Sequence, residues 1–64
     1  METASFTSEV FAFIENTYNK NLLRKVKNKD NTNTVDKILS DSLSKEYSVE
    51  KTANKIIAML RLNP

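Results

Sequence analysis

The spacing of its apolar residues decides most of what this 64-residue chain can fold into. They return every three or four positions along most of the sequence, the period of an amphipathic helix and not the alternation of a half-buried strand. Phe6, Val10, Phe13, Ile14 and Tyr18 form one stripe, with Phe11 beside it. Val35, Ile38, Leu39 and Leu43 form another, and Val49, Ala53, Ile56, Ile57 and Leu60 the clearest. The fold class is therefore all-α, a compact bundle of three or four short helices. All of 1–64 makes one small domain with a thin core, which pairing of two chains would enlarge.

Helix boundaries follow from the polar residues between the stripes. Thr7 or Ser8 can cap a first helix over about Ser8 to Asn19, with Glu9 in its first turn, so that 1–6 reads as a flexible N-terminus. A second short helix is expected over about Asn21 to Lys27, carrying Leu22, Leu23 and Val26. From Asn28 to Thr34 there is no apolar residue, and Asn, Thr and Asp side chains compete there for backbone hydrogen bonds, so 28–34 reads as a loop. Asn33 or Thr34 then caps a helix ending near Tyr47, and Ser48 caps the last one. The chain has no glycine, so left-handed backbone at a helix end is expected to fall to Asn or Ser.

The same composition narrows function. Without cysteine there is neither a disulfide nor a thiolate metal site, and without histidine the commonest catalytic base and metal ligand is missing. The carboxylates Asp36, Asp41, Glu46 and Glu50 are scattered among lysines on short helices, with little room for a pocket, so no catalytic residue, cofactor or small-molecule substrate is expected. The run from Asp30 to Asp41 has oxygen ligands at calcium-loop offsets, but Val35 stands where that loop requires glycine and Asp41 is shorter than the bidentate glutamate. No metal is expected. The apolar run FAFI is too short for a membrane span, and the expected location is the cytoplasm.

Charge is laid down in blocks. Residues 20–29 carry five bases and no acid, whereas residues 1–19 carry three acids and no base. Lys20, Arg24, Lys25, Lys27 and Lys29 thus offer a basic rim to an acidic partner or to nucleic acid. Phe11 and Phe13 lie about 200° apart on a helical wheel, so one stripe cannot bury both deeply. One ring is expected to stay outside the monomer core, as part of a homodimer seam or a partner groove.

The segment SDSLSKEYSVEKTANKII, Ser40 to Ile57, resembles the helix-turn-helix of small phage repressors. Leu43, Tyr47, Val49 and Ile57 stand at its apolar positions and Ser44 at its small one. It departs at Ser48, where the turn commonly has glycine, and at Asn54, where the second helix buries a branched aliphatic residue. The resemblance implies that Lys51, Asn54 and Lys55 approach the major groove, with Glu50 repelling phosphate.

The sequence as a whole reads as a non-enzymatic helical binding or regulatory module. It would act stoichiometrically on a macromolecule, a protein before DNA, through an apolar helix face and a basic rim. The alternative is a dimeric helix-turn-helix regulator of phage, plasmid or bacterial type, working through 40–57.

Overall fold

The computed structural model describes the backbone of residues 3–62 and the side chains of residues 5–60. Four α-helices follow one another: α1 Thr3–Thr17, α2 Lys20–Val26, α3 Thr32–Ser44 and α4 Val49–Leu62, with a single 3-10 turn at Lys29–Asn31 ahead of α3. The chain is an all-α bundle. Its Cα radius of gyration is 10.7 Å, the value of about 11 Å expected of a compact chain this long.

The core is built from the stripes. Phe6, Val10 and Ile14 of α1, Val26 of α2, Val35 and Leu39 of α3, and Ala53, Ile56, Ile57 and Leu60 of α4 are all buried in one cluster. The pairing of α1 with α4 is the most extensive, α2 folds back onto α1, and α3 packs against both α4 and α1. Each short helix has its stripe covered by neighbours, as helices of this length require, since propensity alone would leave them marginal in water.

Several expected boundaries are corrected. The first helix begins at Thr3, five residues earlier than expected, so Thr7 and Ser8 are interior residues and not caps. Phe6 explains this: it continues the stripe of Val10 and Ile14 one turn back and is only 4% exposed. Of the expected flexible stretch 1–6, Thr3 to Phe6 are helical, and residues 1 and 2 lie outside the described part. At its other end α1 stops at Thr17, so Tyr18 leaves the stripe and is exposed.

The expected loop 28–34 is also largely helical. The Asn28 side chain accepts the Asp30 N–H at 2.8 Å, and the Asn31 side-chain amide donates to the Lys25 carbonyl at 2.9 Å. Thr32 is already the first residue of α3, so Asn33 and Thr34 do not cap it. The polar side chains that argued for a loop satisfy the backbone of two abutting helices instead. Asn19 does the same for α2, accepting the Leu22 N–H at 2.8 Å.

At the other joint α3 ends at Ser44, three residues before the expected Tyr47. The Tyr47 N–H donates to the Ser42 carbonyl at 2.9 Å, the Glu46 N–H to the Leu43 carbonyl at 3.2 Å, and Glu46 has φ 58°. This is a Schellman termination with glutamate in the left-handed position that glycine normally takes. Neither Asn nor Ser supplies it. Ser48 does cap α4 as expected, accepting the Lys51 N–H at 3.1 Å.

Phe11 and Phe13 are both partly buried against the core, so neither ring is left outside it. Each takes one margin of α1, and the Nζ of Lys27 lies 5.4 Å from the Phe11 ring, its stem covering apolar surface. In place of one outlying ring there are two half-buried ones, neither buried deeply.

Candidate basic surface

The expected cationic residues fall into two groups. On α2, Lys20, Arg24 and Lys27 sit at the i, i+4 and i+7 positions of one face. With Glu15 and Leu23 they line a shallow groove of about 220 Å³. Lys25 and Lys29 are exposed but do not line it. The run of five bases is therefore one stripe of three with two outliers.

The second group lies on α4. Burial of Thr52, Ala53, Ile56, Ile57 and Leu60 turns the opposite face to solvent, where Lys51, Asn54 and Lys55 are exposed. The residue just before the cap, Tyr47, lays its partly buried ring beside that face. The Nζ atoms of Lys51, Lys55 and Lys45 lie 3.9, 5.4 and 5.8 Å from its centroid. Each is within cation–π range of the ring. Lys45 also pairs with Asp41 at 3.3 Å, an exposed i, i+4 bridge of small energetic weight. Neither Lys45 nor Tyr47 stood out in the sequence as a member of a cationic cluster. The spacing 47, 51, 55 was the available signal.

Asn54, which the helix-turn-helix resemblance directs at the major groove, is exposed on α4. Its side-chain carbonyl accepts the Tyr18 hydroxyl at 3.1 Å, joining the edge of the α4 face to the α1–α2 connection. Bidentate recognition of adenine needs both the oxygen and the nitrogen of an asparagine amide. The Tyr18 hydroxyl occupies one of the two lone pairs of that oxygen. The turn departs from the motif as well, since the left-handed residue is Glu46 and Ser48 is the helix cap.

Tyr47 also forms part of a groove of about 430 Å³ with Phe6, Leu43 and Glu46. Among the described residues no group of three acidic side chains is close enough to hold a metal ion, and no helix is long and apolar enough to cross a membrane. Comparison with known proteins finds no matching family model, no matching curated protein and no matching solved structure.

Proposed function

We propose that the protein is a non-enzymatic module that binds a polyanionic macromolecule by charge, the phosphate backbone of a nucleic acid being the target its surface suits best. The observation that carries this reading is what the surface lacks beside its ammonium groups. Among the described large apolar side chains only Tyr18 is exposed. Protein interfaces draw most of their energy from buried aromatic and arginine anchors and are depleted in lysine. Backbone binding to nucleic acid needs only cations that release condensed counterions.

The α4 face with Lys51 and Lys55, and the α2 stripe of Lys20, Arg24 and Lys27, supply those cations. The reading is of phosphate contacts made by these cations, without base discrimination. An acidic protein surface is the second reading, favoured by the partly buried Phe11 ring, whose apolar edge lies beside Lys27. Either target would be met in the cytoplasm.

Salt separates the two. Fluorescence anisotropy with a labelled duplex of arbitrary sequence should give a dissociation constant of about 1–100 μM near physiological salt. Log affinity should fall against log salt with a slope of about −3 to −5. Duplexes of different sequence should behave alike. Absence of binding at 25 mM salt with ~100 μM protein would remove the nucleic-acid reading.

A further inference from the structure

Three ammonium groups converge on one aromatic ring at the joint between α3 and α4. Lys51 and Lys55 lie one turn apart on α4 and Lys45 comes from the end of the preceding helix, yet all three reach Tyr47, at 3.9, 5.4 and 5.8 Å from its centroid. One carboxylate, Asp41, pairs with Lys45. Among the described residues Lys51 and Lys55 have no acidic partner, and the Tyr47 phenol makes no hydrogen bond. The ring's negative face offsets part of the mutual repulsion, and a bound anion would offset the rest.

We propose that Tyr47, Lys45, Lys51 and Lys55 form a phosphate clamp that fixes the protein on the backbone of duplex nucleic acid. The inference rests on the polyanion-binding reading above and goes beyond it by naming the point of contact. At the start of α4 the Lys51 N–H is taken by the Ser48 side chain. The anion sits among the side chains, with the phenol free to donate a hydrogen bond. Lys51 on the ring face leaves that face closed to a stacking base. A duplex backbone therefore suits the clamp better than an unstacked single strand.

Charge-matched variants test it. Lys51→Gln/Lys55→Gln removes two clamp cations, and Lys29→Gln/Lys37→Gln removes two exposed cations elsewhere. All four side chains are exposed, so unchanged circular dichroism is expected from both variants. In salt titrations with the same labelled duplex, the clamp variant should lose about two units of slope and bind roughly tenfold or more weakly at 50 mM salt. The control should keep nearly the wild-type slope. Equal weakening of the two variants would show that overall charge acts and no clamp exists. Binding by the wild type with no change in the clamp variant overturns the clamp alone. No binding by the wild type overturns the clamp and the polyanion reading together.

Discussion

The two joints that frame α3 solve one problem by opposite means. Between α2 and α3 the chain turns with every described backbone angle in ordinary regions, and Asn28 and Asn31 tie the turn through their side chains. Between α3 and α4 the chain reverses through two backbone hydrogen bonds before the Ser48 cap, at the cost of holding Glu46 left-handed. The difference shows what a chain without glycine can do. It either surrounds a turn with short polar side chains or accepts local strain of about 1–2 kcal/mol.

The largest effect expected near these joints comes from the core that both depend on. Ile56 is fully buried on α4, and Ile56→Ala should lower stability by about 2–5 kcal/mol, enough to unfold so small a domain at equilibrium. Thermal denaturation gives the reference against which both joints are read. A midpoint unchanged by that substitution would mean that α4 packs differently and that neither joint is correctly placed.

Ser42 comes next, because its carbonyl closes the Schellman turn while its fully buried hydroxyl has no hydrogen-bond partner. Ser42→Ala removes an unsatisfied buried group at nearly constant volume and should stabilise by about 1–3 kcal/mol. Loss of stability would indicate a partner for that hydroxyl and a different register for α3.

The joints themselves should respond with opposite signs. Asn28→Ala/Asn31→Ala strips the side-chain ties of the first and should cost about 1–2 kcal/mol. Glu46→Gly relieves the second and should gain about 0.5–1 kcal/mol after the entropy that glycine adds to the unfolded chain. Chemical denaturation of the two variants beside the wild type reads both. Destabilisation by Glu46→Gly would erase the contrast.

The same contrast explains which parts of the fold were legible in the sequence. The last helix was, because a serine cap followed by Val49, Ala53, Ile56, Ile57 and Leu60 admits one period and one starting point. The start of α1 was not, since the small polar residues around Phe6 look like caps unless the ring is known to reach the core. The segment 28–34 has the composition of a loop, and only tertiary placement shows that its amides and hydroxyls bridge two helix ends. At the basic surface, Lys51 and Lys55 were singled out through the helix-turn-helix resemblance. Tyr47 joined them only once the turn at Glu46 had set the direction in which its ring points, and the contact of Asn54 with Tyr18, thirty-six residues away in sequence, was not legible either.

The central claim is that the protein meets a polyanion with the outer face of α4 and the basic stripe of α2. Amide chemical-shift mapping during titration with a short duplex at low salt tests it most directly. The account predicts shifts concentrated at Lys45, Tyr47, Lys51 and Lys55, with a second set at Lys20, Arg24 and Lys27 and little change at Lys37, two turns from Lys45 on α3. Shifts centred on Phe11 and Phe13, or no shifts at all, would contradict it.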